Sequence, residues 1–328
     1  MKRIGIKDLA RLLSLNVSTI SRALSGHPDV SPETRERVLD AAREFNYHPN
    51  LHARFFRKKN SGLIALVLPE LNSFFIPELI QGVHDAVEKK GYNVIMFISG
   101  DSPEKEAEIM DHCLSWVAEG VLVSVSNRTV ETGHFRAIQS AGIPLVMLDK
   151  VIHTADFSTV TINDHSAAWS ATEHLIRSGC RKLLGVLGNP GLEITRERAK
   201  GFADCLEARG FLPEMSRIIT IENIASGEEV LMEEVIRGGY DGIFVMSDEL
   251  LLFVYPALAA AGLYPLKIRL AAISDGKLPH AIFPQVPYVQ HSGYQTGRTA
   301  AEKLLDEISG KDPAIRHFTS GINLVYPR

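Results

Sequence analysis

NVSTISRALSG, residues 16–26, carries apolar side chains at Ile20, Ala23 and Leu24 with small polar ones between them. That spacing is one face of a short helix from Val17 to about Ser25. Asn16 offers an N-cap residue, and Gly26 stops the helix. The other face starts with Val17 and Ser18 and continues one turn later with Arg22. Side chains at the exposed start of such a helix reach base edges when it lies in a DNA major groove. Arginine is the usual bidentate reader of guanine O6 and N7. Thr19 and Ser21 can donate hydrogen bonds to phosphates, fixing register without reading sequence. Taken alone, the pattern describes equally well a small solvated helix with one exposed arginine.

The surroundings decide between the two. Ile6, Leu9, Ala10 and Leu13 are helically spaced, and Ser14–Leu15–Asn16 form a tight turn between the two helices. Ser31–Pro32–Glu33 opens a third helix with an N-cap, a proline at the first helical position and an early carboxylate. This helix runs to about Phe45, with Val38, Ala42 and Phe45 as its buried stripe. Two helices joined by a short turn and braced by a third describe a helix-turn-helix unit. Residues 1–60 hold 12 Lys and Arg against 6 Asp and Glu, a balance of +6; with a net charge of −4, the remainder carries −10. A basic head on an acidic body implies an anionic partner for the head alone, either nucleic acid or an anionic membrane surface. The three-helix context selects DNA.

Beyond Gly62 the pattern changes. Short β-branched or leucine-rich runs recur: LIALVL (63–68), NVIMFI (93–98), GVLVSV (120–125), LVML (145–148), KLLGVLG (182–188), RIITIE (217–222), GIFVM (242–246) and RLAAIS (269–274). Amphipathic stretches such as IPELIQGVHDAVEKKG separate them, which indicates parallel βαβ units. Ten or so strands exceed one comfortable open sheet, so two doubly wound lobes are expected. The length of 328 residues suits two or three domains. No run approaches the ~18 uninterrupted apolar residues of a membrane span. Lys7, Asp8 and Arg11 interrupt the N-terminal apolar positions, which argues against a signal peptide and for a cytoplasmic protein. Cys113, Cys180 and Cys205 are odd in number and scattered, and read as reduced thiols.

The stretch IKDLARLLSLNVSTISRALSG…VSPETRERVLDAAREFNYHPNLHAR resembles the DNA-binding head of the lactose-repressor type (LacI/GalR) family of bacterial transcription regulators. VLPELNSFF, the strand ending at Asp149, EHLIRSG, TRERAKGF and the Ser247–Asp248 pair are similar to the family's periplasmic-binding-protein-like core. The resemblance implies an all-α helix-turn-helix head at 1–49, a hinge helix and linker at 50–60, and an effector-binding and dimerisation core at 61–328. Within the core it implies an N-lobe of about 61–160 plus 291–320 and a C-lobe of about 161–290 plus 321–328. It further implies a repressor that binds pseudo-palindromic double-stranded operator DNA as a homodimer, with a tetramer left open. A small effector between the lobes, a sugar or sugar derivative, would modulate operator affinity by allostery. The chain departs from the family pattern at Ser14 (usually glycine), Ser25 (commonly asparagine), Ser73 (usually proline), Ser247 (often asparagine) and Ile273 (often glycine).

The resemblance also gives NLHARFFRKKN, residues 50–60, a role. Asn50 can cap a hinge helix too short to be stable alone in water, so that its folding is coupled to DNA binding. Phe56 stands where the family usually places a leucine that wedges into the minor groove, and apolar wedges of this kind kink the duplex. Ala53 and Arg54 would line the groove floor, while Arg57, Lys58 and Lys59 meet phosphates. Phe55 is better read as packing on the core. His52 replaces a usually apolar position between paired hinge helices.

For the effector, Phe74 and Phe75 match the family's ligand-stacking positions and read as the end of the first strand. Asp149 lies at the carboxyl end of a strand, where open α/β sheets bind ligands. Arg198, three residues before Gly201, matches the anchoring arginine; Asp275 matches the opposing lobe's carboxylate, with Ser247 nearby. Such a set suits a polyol. The competing reading makes Asp149 and Arg198 an interlobe salt bridge. The 12 histidines form no H-E-x-x-H pattern, and C-x-x-C, G-x-S-x-G and phosphate-loop motifs are absent. Gly185, Gly188 and Gly191 lack the dinucleotide order. No metal, cofactor or catalytic role is expected. The rival reading is a solute-binding or sugar-modifying protein on the same core, which the basic head opposes.

Overall fold

The computed structural model describes residues 4–45, 47, 61–71, 74–116, 118–152, 155–221, 224–265, 267–283 and 285–327. The expectations for Asn50, Ala53, Arg54 and Phe56, and the substitution at Ser73, lie outside the described residues. The chain divides into two compact units, Met1–Ser61 and Gly62–Arg328.

In the first unit, α1 (Ile6–Leu13), α2 (Val17–Leu24) and α3 (Pro32–Glu44) close on Leu9, Ile20 and Val38, with Ala10, Ala23, Val30 and Ala41 completing a small core. Two details differ from the sequence-based expectation. The buried stripe of α3 uses Ala41, while Phe45 lies one residue past the helix end and is 38% exposed. Asn16 has the extended N-cap backbone, but its side chain makes no capping bond. Ser31 does cap, accepting from Thr34 N at 3.3 Å.

Ser14 ends α1 with φ +54° and ψ 38°, a left-handed conformation in a residue that is not glycine. A Cβ in that region meets the following carbonyl, so the serine retains strain that glycine would lack. Ser14→Gly is expected to stabilise the head by up to about 1 kcal/mol, since glycine's extra unfolded-state entropy offsets part of the relief. Slower amide exchange in α1 and α2 is the readout, and unchanged exchange would refute the strain.

In the second unit, β1 (Leu63–Leu68), α4 (Phe75–Glu88), β2 (Asn93–Ile98), α5 (Pro103–Ser115), β3 (Gly120–Val123), α6 (Gly133–Ser140), β4 (Leu145–Leu148) and β5 (Ser158–Ile162) build the first lobe. Then follow α7 (Asp164–Arg177), β6 (Leu183–Leu187), α8 (Glu193–Ala208), β7 (Ser216–Thr220), α9 (Ile224–Gly238), β8 (Gly242–Val245), α10 (Asp248–Ala260), β9 (Arg269–Ser274), α11 (Lys277–Ala281) and β10 (Tyr288–Gln290). The chain returns through α12 (Gly293–Ile308), β11 (His317–Ser320) and β12 (Leu324–Val325). Two six-stranded sheets result, in the orders β11-β5-β4-β3-β1-β2 and β12-β10-β9-β8-β6-β7. All pairings are parallel except β10 with β12. The fold is thus an all-α helix-turn-helix head followed by two doubly wound parallel-sheet lobes.

Both faces of the first sheet are covered. Ile64, Leu66 and Leu68 point to one side and pack with Leu79, Val83 and Leu304; Ala65 and Val67 point to the other and pack with Met110 and Phe135. This two-residue alternation lets every β1 residue be apolar. The return of α12 onto the first lobe depends on close backbone approach. A Cβ on Gly297 would lie 2.2 Å from Leu79 O, and one on Gly82 would lie 2.1 Å from Tyr294 O. The second lobe closes on one apolar cluster that includes Leu183, Phe202, Phe244 and Leu270. The three cysteines are buried free thiols. Among the described residues no helix is long and apolar enough to cross a membrane.

Candidate functional site

In the head, Ser18 and Arg22 are exposed, while Val17, Thr19 and Ser21 are half-buried. Val17 also packs against the head's apolar cluster, which uses part of its surface. Three other cations of the head are engaged, two of them in ion pairs: Arg11 with Asp8 (3.4 Å) and Arg43 with Asp40 (3.5 Å). Arg35 donates to Gly26 O (3.2 Å) and His27 O (2.8 Å), holding the loop behind α2. Arg22 has no ion pair among the described residues, and its carbonyl anchors Ser25 Oγ (3.1 Å) and His27 N (3.0 Å). The guanidinium is therefore exposed on a helix whose own end is tied down.

The core holds a cavity of about 260 Å³ where the carboxyl ends of both sheets face each other. Phe75, Asp149, Arg198, Ser247 and Asp275 all line it, and so do Lys150, Asp248 and His291. Phe74 is not among the lining residues; it packs against the second lobe's apolar cluster. Nor do the two phenylalanines end a strand: β1 stops at Leu68, and Phe74 is the residue that precedes α4. The apolar run ends at Leu68, and Phe75 opens the helix that Phe74 precedes.

Asp149 follows β4 with φ +60°, a left-handed conformation that aspartate tolerates better than most residues. Ser124 Oγ donates to its Oδ2 at 3.4 Å. Burial pushes Asp149 up to about 6, against the opposing charges of Lys150 and Arg198. Lys150 is held in place: its Nζ donates to Asn127 Oδ1 (2.7 Å), and Asn127 donates through N and Nδ2 to Asp101 (2.6 and 2.9 Å).

Arg198 projects from α8 and is 2% exposed. Its Nε donates to Asp164 Oδ1 at 2.8 Å, and Nη1 donates to the Met246 carbonyl. Nη2 also lies 2.8 Å from Asp164 Oδ1, yet it completes no hydrogen bond there or elsewhere. The distance satisfies an ion pair while the N–H direction does not, so Nη2 counts as an uncommitted donor. The ion pair of Arg198 is thus with Asp164 of the same lobe, in place of the interlobe bridge to Asp149.

Ser247 caps α10, accepting from Leu250 N at 3.5 Å. Asp248 accepts from Ser274 Oγ and from Asp275 N (2.8 Å). The Oδ1 of Asp275 accepts from Lys277 N at 2.8 Å, whereas its buried Oδ2 has no partner. Burial raises its proton affinity.

His291 was not foreseen from the sequence. It follows β10, a three-residue strand too short to leave a pattern, and its ring lies 4.4 Å from that of Phe75 at 42°. It is 8% exposed, its Nε2 is buried without a partner, and burial holds the imidazole well below its usual value, hence neutral. Lys277 Nζ and Glu78 Oε1 join the two lobes at 2.8 Å; both are solvated, so this contact contributes about 0–1 kcal/mol.

Residues 5–50 match the model for bacterial regulatory proteins of the lacI family. Residues 61–324 match the model for periplasmic binding proteins and the sugar binding domain of the LacI family. The chain belongs to the LacI family. Its LacI-family relatives include catabolite control protein A of Priestia megaterium, 28% identical over 315 residues covering 94% of this chain and 93% of that protein. The ribose operon repressor of Halalkalibacterium halodurans is 26% identical over 310 residues, covering 93% and 91%. Among solved structures, the lac repressor dimer bound to operator and the anti-inducer ONPF matches with a TM-score of 0.85 at 20% identity, covering 99% of this chain and 98% of that one. A LacI family transcriptional regulator from Enterococcus faecium with bound ribose matches at 0.72 and 19%, covering 81% and 97%. At these identities the structures speak for the shared fold.

One pH effect follows from the cavity of this LacI-family chain. Burial pushes Asp248 up to about 7 from an ordinary 3.8, against hydrogen bonds from Ser274 and Asp275 that lower it. A folded value above the unfolded one gives stability in acid that is lost as pH rises through the folded value. The thermal midpoint is therefore expected to rise from about pH 8 to about pH 6.5. At lower pH, His291 acts in the opposite sense, because the unfolded chain takes its proton first. A midpoint that falls steadily over the upper window would contradict a protonated Asp248.

Proposed function

We propose that the protein is a sequence-specific DNA-binding transcription regulator, a repressor, whose operator affinity is set by a small effector held between the core lobes. The observation that carries this reading is the cavity: Arg198 Nη2, Asp275 Oδ2 and His291 Nε2 are all buried without hydrogen-bond partners around one space. Buried polar atoms are normally satisfied, since leaving one unpaired costs about 1–3 kcal/mol. Three together favour a polar ligand that supplies what the protein does not. A carbohydrate effector fits the family model's sugar binding domain and the ribose-bound relative.

The head is assigned to residues 1–49, with Val17, Ser18 and Arg22 at base edges and Thr19 and Ser21 at phosphates. Residues 50–60 form the hinge, with Asn50, Ala53, Arg54 and Phe56 at the minor groove, and 61–328 the core. Phe74 packs against the second lobe's apolar cluster, and Phe75, Asp149, Arg198, Ser247 and Asp275 bound the cavity. Two copies of the head would read a pseudo-palindrome as a homodimer, as fits a family that includes the operator-bound lac repressor dimer. An effector that binds one lobe angle better than another shifts the population of angles and so the operator affinity. The reading places the protein in the cytoplasm and assigns it no catalytic step; the relatives named above are regulators.

The test is retention of palindromic DNA from the neighbourhood of its own gene in a gel shift at two salt concentrations. Specific binding that weakens by about 10³–10⁵ between 50 and 200 mM salt is expected for 6–10 phosphate contacts. No retention at either salt overturns the reading. For the hinge, Phe56→Ala is expected to lose roughly tenfold or more of operator affinity, whereas Phe56→Leu keeps most of it, because unstacking by an apolar wedge involves a few kcal/mol. Equal affinity in Phe56→Ala and the parent would remove the wedge.

A further inference from the structure

We infer that the effector is an amine-bearing polyol, with neighbouring hydroxyls and one ammonium that Asp275 receives. This rests on reading the interlobe cavity as the effector site and adds the ligand's chemical class.

The three unpartnered atoms set the first requirement. Arg198 Nη2 can only donate, an ionised Asp275 Oδ2 can only accept, and the neutral ring of His291 does one or the other at Nε2. A ligand must therefore donate at one wall and accept at another. Hydroxyls do both. A phosphate or carboxylate accepts only, so it could answer Arg198 but would leave Asp275 Oδ2 unpaired.

Charge sets the second requirement. The lining contains the carboxyls Glu70, Asp149, Asp248, Glu249 and Asp275 against the cations Lys150 and Arg198. Arg198 is neutralised by Asp164 beneath it. Glu70 is exposed, and Asp248 is committed to Ser274 Oγ and Asp275 N. With those two set aside, Asp149, Glu249 and Asp275 face, among the described residues, one lining cation besides Arg198, namely Lys150. That lysine is tethered by Asn127 beside Asp149, the carboxyl it balances. Among the described residues, the positive charge acting on Asp275 is that of Lys277, which is itself engaged with Glu78 at 2.8 Å. The wall around Asp275 is thus short of one positive charge and one donor. An ammonium supplies both, beside a carboxylate whose Oδ2 is buried, where a charge-assisted hydrogen bond is stronger than a neutral one. An anionic sugar would add to the excess.

Calorimetric titration of the full chain at about pH 7, where alkylammonium groups are protonated, tests this with three matched sets. These are D-glucose, D-galactose and D-mannose, their 2-amino-2-deoxy analogues, and their 6-phosphates. At least one amine is expected to bind about tenfold or more tighter than its neutral parent, with the 6-phosphates weakest. The preference for the amine is expected to vanish in Asp275→Asn, whose folding is checked by circular dichroism. Should that variant not fold, Glu249→Gln is expected to narrow the preference on the native fold. A neutral sugar or a 6-phosphate that binds as tightly as its amine in every set overturns the charge assignment while leaving the cavity an effector site. So does a preference that survives Asp275→Asn. No heat from any of the nine compounds overturns the ligand class, and operator retention in the gel shift tests the regulator independently.

Discussion

Replacing Arg198 with alanine is expected to lower the unfolding free energy of the core by about 3–5 kcal/mol, the cost of removing one partner from a buried ion pair. Arg198 is 2% exposed, and Asp164, whose side chain is 12% exposed, would remain a nearly buried carboxylate without its counter-charge. The Met246 carbonyl would lose its donor as well. Arg198→Lys is expected to recover only part of the loss, because an ammonium cannot reproduce the planar fork that reaches Asp164 and Met246 at once. Adding Asp164→Asn to Arg198→Ala should return stability by removing the stranded charge, a coupling that a double-mutant cycle isolates. Urea unfolding at neutral pH is the measurement. A loss under about 1 kcal/mol would place this pair with solvated surface bridges and leave Nη2 no special claim on a ligand.

That buried pair marks how far the sequence carries. Short-range features were legible because their cause is short-range. The face of α2 is fixed by Ile20, Ala23 and Leu24, and β1 to β4 and β6 to β9 announce themselves as apolar runs bounded by turn residues. The strands that escaped notice are β5 (STVTI), β11 (HFTS), β10 and β12. The first two alternate polar residues and are held by backbone pairing to each other, so hydrophobicity does not reveal them. The last two are three and two residues long.

The cavity was legible in part for a related reason. Asp149, Arg198 and Asp275 were found because each lies in a motif of the family. His291 and Lys150 were not, since their placement comes from convergence: the first depends on α4 bringing Phe75 to its ring, and the second on Asn127 and Asp101 from two other strand ends. The ion pair of Arg198 with Asp164 is hidden in the sequence for the same cause. No motif points to Asp164, and the packing of α7 against α8 is what brings it to Arg198.

Arg22→Ala is expected to weaken operator binding by about 1–3 kcal/mol, or roughly ten- to a hundredfold, the discrimination a bidentate contact to guanine provides. The fold should not suffer. Arg22 is exposed, it has no ion pair among the described residues, and alanine favours the helix at least as well as arginine. Any loss therefore reports on DNA and not on the head's core. Three comparisons separate base reading from simple charge. Binding to scrambled DNA is set by phosphates and should change little beyond the loss of one cation. Arg22→Lys should keep the salt dependence of the parent but lose most of its preference for operator, because an ammonium cannot grip O6 and N7 together. Thr19→Ala, by contrast, should weaken operator and scrambled DNA alike, as a phosphate contact does. If Arg22→Ala lowered both DNAs equally, the arginine would be a backbone contact and sequence reading would fall to Val17 and Ser18. Because Val17 already spends part of its surface on the head's core, that outcome would leave Ser18 as the main reader on this helix, with far less discriminating power than a guanidinium fork.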